Sequence, residues 1–290
     1  MAGMKLLLSA LLIGLCAYYF YSTETITPEM VKGKRVLVTG SSSGIGEQIA
    51  YRFSEMGAHV MLTARRAKQL QEVAKKCLEL GAASAGYVVA DMENLTLAQN
   101  VGQEAIKQLG GLDYLVLNHA GGPVSFEYFK GDVEPMLSSS KINFLSFVEL
   151  TSTALKALLE SQGSIVAISS MCGRIGSPFT VYYSAAKFAL EGFFSSLRRE
   201  FMLSMNNVSV TVAVLGFIDT ESALQVVRGK ITMSPSPKEE CADEVVKAAI
   251  LRQPEVFYPF WHTKLIYVLH SLAPNLIDNL LNKMYMLENI

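Results

Sequence analysis

The residues best suited to chemistry are a tyrosine and a lysine four positions apart, Tyr183 and Lys187. On a helix, residues at i and i+4 share one face, so the phenol and the ammonium would lie close together. A free phenol has a pKa of about 10, and a neighbouring ammonium favours the phenolate and lowers that value. Tyr183 is therefore a candidate general acid and base. Tyr182 is five residues from the lysine, faces elsewhere and is assigned to packing.

Two polar residues upstream, Ser170 and Asn143, complete a candidate site. Ser170 follows a strand predicted at 163–169, and the carboxyl ends of parallel strands are where functional loops concentrate. Side chains alternate along a strand, so Ser169 should point to the opposite side. Asn143 falls in a helix predicted at 140–155, where its amide is either a structural group or part of the site.

A glycine-rich turn near residue 40 is typical of nucleotide binding. The apolar run 34–39 predicts a buried strand, and an amphipathic helix is predicted at 47–56. Glycines between a strand and a helix let the backbone approach a pyrophosphate at the positive helix end. The predicted contacts are Gly40, Ser41, Ser42, Ser43, Gly44, Ile45 and Gly46.

The end of the second predicted strand, 58–63, indicates which nucleotide binds. Arg65 and Arg66 follow this strand. Guanidinium groups make charge-assisted hydrogen bonds to a 2′-phosphate, whereas a carboxylate at this place favours the 2′-hydroxyl of NAD. The arginine pair therefore predicts NADP(H) as the cofactor.

Strands and helices alternate along most of the chain. Further strands are predicted at 85–90, 113–117 and 208–214, and helices at 68–80 and from about residue 95. This alternation predicts an α/β fold of the Rossmann type, a doubly wound parallel sheet with helices on both faces and a ligand crevice at the strand carboxyl ends. We assign the catalytic domain to 34–258 and a C-terminal apolar helical tail to 259–290.

Composition excludes several classes of protein. The 25 basic and 26 acidic side chains give a net charge of −1, which argues against a nucleic-acid surface or a strongly charged substrate. The four histidines and four cysteines show no metal-ligand spacing, so no metal site is predicted. Cys77, Cys172 and Cys241 are expected to be buried or free thiols.

An apolar run at 6–21 precedes the domain, with Lys5 before it and acidic residues after it. This arrangement predicts an uncleaved anchor at 1–21, a linker at 22–33, a cytosolic N-terminus and a catalytic domain in the lumen of the endoplasmic reticulum. Glycosylation sequons at Asn94 and Asn207 are compatible with that location. An ordinary buried N-terminal helix is the alternative.

Together these motifs resemble the short-chain dehydrogenase/reductase family. The run 39–46 matches its Thr-Gly-x-x-x-Gly-x-Gly pattern, 118–121 is similar to its Asn-Ala-Gly turn, and the residues at 143, 170, 183 and 187 follow in the family's order. Ser43 stands where NADP-dependent members often carry a basic residue. Within the family, the N-terminal run, 78–83, 188–190 and 215–221 resemble the 11β-hydroxysteroid dehydrogenases, of either the type-1 or the type-1-like group.

The resemblance implies a role for each candidate residue. Tyr183 would give a proton to a carbonyl oxygen oriented by Ser170, so both would also bind the substrate. Lys187 would lower the tyrosine pKa and hold the nicotinamide ribose, and Asn143 would hold a proton-relaying water. Nucleotide contacts are further implied at Asp91, Met92, Asn118, His119, Ala120, Tyr183, Lys187, Ile218, Asp219, Thr220, Glu221 and Ser222. As an alternative, Asp91 caps the helix that begins near residue 95.

The same resemblance implies NADP(H)-dependent interconversion of 11-keto and 11β-hydroxy glucocorticoids, with reduction favoured. The expected partners are a steroid or other lipophilic carbonyl substrate, the endoplasmic reticulum membrane and a second copy in a homodimer, without nucleic acid. A mobile lid is expected at 223–237, and the tail either closes the core or forms an apolar rim for substrate, membrane or partner subunit. Two alternatives stay open: a retinoid or xenobiotic carbonyl reductase, and a non-enzymatic, nucleotide-dependent lipid- or partner-binding membrane protein.

Overall fold

The structure is a computed structural model that describes residues 25–121 and 126–290. The predicted anchor at 1–21 and the first part of the predicted linker lie outside these ranges. The strands are β1 (Arg35–Thr39), β2 (His59–Ala64), β3 (Ser84–Val89), β4 (Tyr114–Leu117), β5 (Ser164–Ser170), β6 (Ser209–Leu215) and β7 (Glu255–Tyr258). The helices are α1 (Gly44–Glu55), α2 (Ala67–Glu79), α3 (Leu95–Leu109), α4 (Glu134–Ser140), α5 (Ser146–Ser161), α6 (Val181–Leu203), α7 (Glu221–Val227), α8 (Lys238–Ile250), α9 (Phe260–Leu272) and α10 (Pro274–Asn282).

The seven strands form one parallel sheet in the order β3-β2-β1-β4-β5-β6-β7. In the centre, Val36 of β1 lies opposite Val60 on one side and Tyr114 on the other. The strand order changes direction between β1 and β4, and in such sheets the ligand crevice opens there, at the carboxyl ends. The predicted Rossmann-type fold is confirmed.

Alternate side chains of the strands pack into separate cores on the two faces of the sheet. Val36 and Val38 pack with buried residues of α1, α2 and α8, whereas Leu37 packs on the other face with residues of α3, α5 and α6. This is the two-residue period of a strand, and both faces are covered, as parallel sheets require. The packed sheet holds the β1 turn and Ser170 at the same edge.

The sequence does not predict the seventh strand. β7 pairs with β6, with Val212 opposite Glu255 and Leu215 opposite Tyr258. Its four residues lie between Pro254 and Pro259 and run into an aromatic stretch, so the local pattern does not separate a strand from a tail. The predicted boundary between domain and tail coincides with the end of β7.

The helix predicted at 140–155 is longer than expected and is interrupted. A π-turn, Lys141–Leu145, joins α4 to α5 and contains Asn143. The combined stretch Glu134–Ser161 is the single helix, among the residues described, that is long and apolar enough to cross a membrane. Phe147, Leu150 and Leu158 of this stretch are fully buried in the second core, which is the placement of a core helix.

Candidate active site

The turn after β1 packs so closely that its glycines leave no room for side chains. Gly40 and Gly44 have φ angles of +64° and +67°, in the left-handed region that favours glycine. A Cβ atom on Gly40 would lie 2.6 Å from the Cα atom of His119. The turn borders a cavity of about 470 Å³ at the carboxyl edge of the sheet.

Gly46→Ala is expected to destabilise the turn, because the new Cβ would lie 2.4 Å from Asn118 Nδ2 and 2.5 Å from the Gly40 carbonyl oxygen. Asn118 donates a hydrogen bond to that carbonyl at 3.2 Å, so both atoms are held in place. Overpacking of this kind costs about 1–3 kcal/mol, and thermal unfolding should show a lower midpoint. Gly192→Ala is the control, since Gly192 faces open space on α6 and alanine favours a helix. Equal midpoints for the two variants would contradict the close packing.

Two arginines form a positive edge of this cavity. Arg66 folds back over the turn, and its Nη2 atom lies 3.1 Å from Ser42 Oγ and 2.5 Å from Ser43 Oγ. Arg65 is largely exposed, with its Nη1 atom 4.0 Å from Asp91 Oδ2. Guanidinium groups beside hydroxyls suit a phosphate ligand, so this edge fits the 2′-phosphate predicted from the sequence.

Most residues predicted to contact a nucleotide border this cavity, but six do not. Those that border it are Gly40, Ser42, Ser43, Gly44, Ile45, Arg65, Arg66, Asp91, Met92, Asn118, His119, Ala120, Thr220, Glu221 and Ser222. Ser41 is fully buried, and its hydroxyl accepts a hydrogen bond from the Thr63 amide at 3.2 Å. Asp219 accepts the Lys238 amide N–H at 2.7 Å and so stabilises the start of α8. For both, the structure supports a structural role. Gly46 packs against Asn118 and Gly40, and the remaining three, Tyr183, Lys187 and Ile218, line a second cavity.

Asp91 does not cap α3, so that alternative is wrong. Asn94 is the cap, and its side chain accepts hydrogen bonds from the amides of Thr96 and Leu97 at 3.1 and 3.2 Å. The carboxylate of Asp91 instead accepts the Glu93 amide at 3.1 Å. Asp91 is therefore left at the cavity edge, where the sequence predicts it.

A second cavity of about 440 Å³ adjoins the first and holds the candidate acid–base residues. Ser170, Tyr183 and Lys187 line it, and it shares Asn118 and Thr220 with the first cavity. The remainder of its lining is mostly apolar and includes Phe126, Ile175, Pro178, Ile218, Val226, Val227, Ile231, Met233, Ile266, Leu281, Met284 and Tyr285. The predicted chemistry therefore takes place in an apolar chamber beside the nucleotide cavity.

The predicted lid and the C-terminal tail together close this chamber. Ile231 and Tyr285 form an antiparallel bridge, and the Thr232 amide donates to the Met284 carbonyl oxygen at 2.9 Å. Ring contacts join Tyr285 to Phe126 and Phe179. Part of the tail thus lines this chamber; its role as a substrate rim and the mobility of the lid stay predictions.

The loop between β5 and α6 forms a wall of the chamber that the sequence does not predict. Cys172 and Ser177 line the cavity, and the Cys172 thiol donates to Ser177 Oγ at 3.3 Å. Cys77, Cys172 and Cys241 are free, as expected. The local signal for this wall was the run of small and turn-forming residues after Ser170, which includes Gly173, Gly176 and Pro178.

Tyr183 and Lys187 lie one turn apart on α6, as predicted. Lys187 is almost fully buried, and its ammonium donates to the Ile168 carbonyl oxygen at 2.8 Å. The Nζ atom lies 5.6 Å from the ring centroid of Tyr183 and 5.1 Å from that of Phe147, within the range of cation–π attraction. Burial lowers the pKa of Lys187 to about 8, while the Glu191 carboxylate opposes that change.

The expectation that Lys187 lowers the pKa of Tyr183 is not met. Burial raises the pKa of the Tyr183 phenol above its usual range, Cys172 adds to this, and a hydrogen bond with Ser170 lowers it. The Lys187 ammonium donates to the carbonyl oxygen of Ile168, and burial outweighs its effect on the phenol. Tyr183 is therefore protonated at neutral pH, which is the form that donates a proton.

The side chain of Asn143 is fully engaged within the protein. Its Nδ2 atom donates to the carbonyl oxygens of Gly121 at 2.9 Å and Ser139 at 3.0 Å, and its Oδ1 atom accepts the Gly121 amide at 3.3 Å. These bonds tie the π-turn to the loop after β4, as the structural alternative requires. The water-relay role of Asn143 stays a prediction.

His119 borders the nucleotide cavity, but its ring is buried behind the turn. Nδ1 lies 2.8 Å from Thr39 Oγ1, and Nε2 lies 2.7 Å from Ser146 Oγ. The Ser146 hydroxyl donates to the Ile142 carbonyl oxygen at 2.7 Å, so it accepts a hydrogen bond from Nε2–H. The Thr39 hydroxyl has a longer alternative acceptor, the Val116 carbonyl oxygen at 3.3 Å, so the shorter Ser146–Ile142 bond favours donation from Thr39 to Nδ1. Burial lowers the pKa of the ring, which is therefore neutral with its proton on Nε2.

Nitrogen NMR of the His119 ring should show this tautomer without titration between pH 5 and 8. Burial, and then the Lys187 ammonium, lower the pKa of His119 to about 3. The unfolded value is about 6.5, so the unfolded chain binds a proton first as pH falls. His119 should therefore reduce stability progressively below pH 6.5 or so. His119→Asn identifies the resonance, and a titration midpoint near 6.5 would contradict the assignment.

Comparison with known proteins identifies relatives over the full length. The family profile described as short chain dehydrogenase matches residues 34–230. Hydroxysteroid 11-beta-dehydrogenase 1-like protein A of Xenopus laevis is 64% identical over 290 residues, all of both chains. Hydroxysteroid 11-beta-dehydrogenase 1-like protein of Gallus gallus is 48% identical over 257 residues, 88% of each chain. A solved short chain dehydrogenase from Burkholderia cenocepacia in complex with NADP has a TM-score of 0.68 and 24% identity, covering 79% of this chain and 97% of that one.

Proposed function

Because the chain belongs to the short-chain dehydrogenase family of oxidoreductases, we propose that it is an NADP(H)-dependent hydroxysteroid dehydrogenase. The proposed reaction reduces an 11-keto glucocorticoid to its 11β-hydroxy form, and the reverse oxidation uses the same groups. One observation carries this proposal: a cavity with a positive edge adjoins an apolar chamber that holds Ser170 and Tyr183. A mostly apolar chamber with few polar groups suits a lipophilic carbonyl compound.

The residues of the first cavity fit NADP(H). The glycine turn lies at the start of α1, where backbone amides and the helix dipole favour a pyrophosphate. Arg66, with Ser42 and Ser43, would hold the 2′-phosphate, and Arg65 would add a second positive charge. When bound, this cofactor supplies the hydride that reduces the carbonyl carbon.

The residues of the second cavity supply the proton and orient the oxygen. Tyr183 holds its proton at neutral pH and would donate it to the oxygen as negative charge develops. Ser170, which lines the same chamber as Tyr183, would donate a hydrogen bond to the same oxygen. Once the proton has left, the Lys187 ammonium one turn away stabilises the phenolate.

A panel of carbonyl compounds tests the proposed substrate. The panel contains 11-keto and 11-hydroxy steroids, retinal and small ketones, each assayed with NADPH and NADH. We expect the highest kcat/KM for an 11-keto steroid with NADPH. A preference for retinal or a small ketone would favour the alternative carbonyl reductases, and absence of turnover throughout the panel would contradict an enzymatic role.

We further propose that the protein lies in the endoplasmic reticulum membrane, with a single anchor at 1–21 and a lumenal domain at 34–258. We also propose that it forms a homodimer and that residues 259–290 form a rim for substrate, membrane or the partner subunit. The apolar run at 6–21 and the exposure of both sequon asparagines, Asn94 and Asn207, support this placement. In eukaryotic cells, membrane-bound protein should lose mass on endoglycosidase H treatment and resist protease added outside sealed microsomes. Protease-sensitive, unglycosylated protein would contradict the location, and a monomer in light scattering would contradict the dimer.

A further inference from the structure

A buried ionic network lies beside Lys187 on α6. Glu191 follows Lys187 by one helical turn and is 8% exposed, so it lies on the same face of the helix as the acid–base pair. The Nη2 atom of Arg174 lies 2.8 Å from Glu191 Oε2 and 2.6 Å from Glu255 Oε1. Arg174 belongs to the loop that follows Ser170, and Glu255 begins β7. The network therefore joins the loop after Ser170 and the start of β7 to the helix that carries Tyr183.

Stability alone is a weak reason for such a network. The Arg174 side chain is 16% exposed and lies beside the stacked rings of Phe257 and Tyr267, at 5.6 and 5.4 Å from their centroids. Apolar residues of similar volume often stabilise a fold at least as well as a buried ion pair. Burial raises the pKa of Glu191, and Ser169 and Arg174 oppose this, so Arg174 helps to keep the carboxylate ionised.

Among the residues described, Glu191 is the carboxylate whose negative charge raises the pKa of Lys187. The other titratable groups facing the ammonium are Tyr183 on α6, Cys172 after β5 and His119 after β4. His119 is neutral and carries its proton on the side of Ser146. The neighbours of the Lys187 ammonium on β5 and α5 are the carbonyl of Ile168 and the ring of Phe147, and neither carries a net charge. Removal of Glu191 would thus leave a buried ammonium without a nearby negative charge.

The loop that carries Arg174 is fixed against α6 at Lys187. A Cβ atom on Gly173 would lie 2.9 Å from the Lys187 carbonyl oxygen, so the two backbones are in direct contact. Ser170 lies at the start of this loop. The ionic network and the glycine contact therefore hold Ser170 and Lys187 in one arrangement.

We propose that Glu191 is a positioning residue for the reaction: anchored by Arg174 and one helical turn from Lys187, its carboxylate supplies the negative charge that stabilises the buried ammonium while Tyr183 transfers its proton. Arg174 acts one step further away, by keeping Glu191 ionised. This inference rests on the proposed role of Lys187 in the same site.

Glu191→Gln tests the proposal because it removes the charge and keeps the size of the side chain. Lys187 is needed as a cation, so activity falls as pH rises through its pKa. Without Glu191 that pKa falls further, and the alkaline limb of the kcat profile should move to lower pH by roughly 1 unit, with a smaller change in KM. Glu200→Gln is the control, since Glu200 is an exposed glutamate on the same helix; its profile should match the wild type.

Variants of Arg174 test whether Arg174 keeps Glu191 ionised. They also keep the proposal testable if Glu191→Gln does not fold. Arg174→Met should shift the profile in the same direction because an unpaired Glu191 takes up a proton, and Arg174→Lys should restore most of it. In the double variant Glu191→Gln/Arg174→Met, the alkaline limb should shift no further than in Glu191→Gln alone. Identical profiles for Arg174→Met and Arg174→Lys would overturn the proposal.

An unchanged profile in folded Glu191→Gln would also overturn it. Tyr183→Phe separates this inference from the proposed function. If Tyr183→Phe is inactive while Glu191→Gln behaves as wild type, Glu191 has no positioning role and the proposed function stands. If Tyr183→Phe retains full activity, the proposed acid–base site itself is wrong.

Discussion

Tyr183→Phe should lower kcat for carbonyl reduction by roughly 10²–10⁴-fold, the usual contribution of a general acid, and leave NADPH affinity close to wild type. The reason is geometric: Tyr183 lines the apolar chamber, not the cavity of the glycine turn. The variant loses only the hydroxyl, which is protonated at neutral pH because burial raises the pKa of Tyr183. Steady-state kinetics give kcat, and quenching of protein fluorescence by NADPH gives the affinity.

Tyr182→Phe is the matched control for this experiment. Tyr182 is the adjacent tyrosine, but its hydroxyl donates to the Asp132 carbonyl oxygen at 2.8 Å and does not line the chamber. The packing role predicted for it is consistent with that placement, and its removal should leave kcat within a few-fold of wild type. Equal activity in the two variants would exclude Tyr183 as the proton donor.

The second large effect is expected at the positive edge of the nucleotide cavity. Arg66→Ala should weaken NADPH binding by about 10–100-fold, since a hydrogen bond to a charged group contributes roughly 1.5–3 kcal/mol. NADH, which lacks the 2′-phosphate, should bind the variant about as well as the wild type. Arg65→Ala should have a smaller effect, because its guanidinium is 65% exposed and partly screened. The measurement is the ratio of the two dissociation constants by fluorescence titration.

Arg52→Ala controls for the general loss of a positive charge. Arg52 of α1 is paired with Glu55 of the same helix and with Asp243 of α8. It does not border the cavity. It should not change the preference between the two nucleotides. Equal weakening of NADPH and NADH in Arg66→Ala would contradict the assignment of the 2′-phosphate site.

The fold was largely predictable because each central strand is a short, continuous apolar run bounded by turn residues. The second strand, for example, is predicted at 58–63 and runs from His59 to Ala64. Both faces of the sheet are buried, so this pattern needs no partner sequence to be recognised. The glycine turn and the arginine pair were predictable for a similar reason, since the residue types and their order directly encode the local geometry.

Features set by distant partners were not predictable from local patterns. Asp219 contacts the amide of Lys238, and Ser41 contacts the amide of Thr63. Neither side chain borders the nucleotide cavity, although residues next to them in the chain do. The pKa of Tyr183 depends on burial and on where the Lys187 ammonium points, which spacing on a helix does not decide. The Arg174–Glu255 pair spans 81 positions in the chain.

The central claim is that this chain transfers hydride from NADPH to a lipophilic carbonyl while Tyr183 donates the proton. NADPH carrying deuterium at both C4 positions of the nicotinamide, incubated with an 11-keto steroid, tests it directly by mass spectrometry of the alcohol. We expect one deuterium in the alcohol formed by the wild-type protein and almost no alcohol from Tyr183→Phe. Alcohol without deuterium, or an equal yield of labelled alcohol from Tyr183→Phe, would contradict the claim.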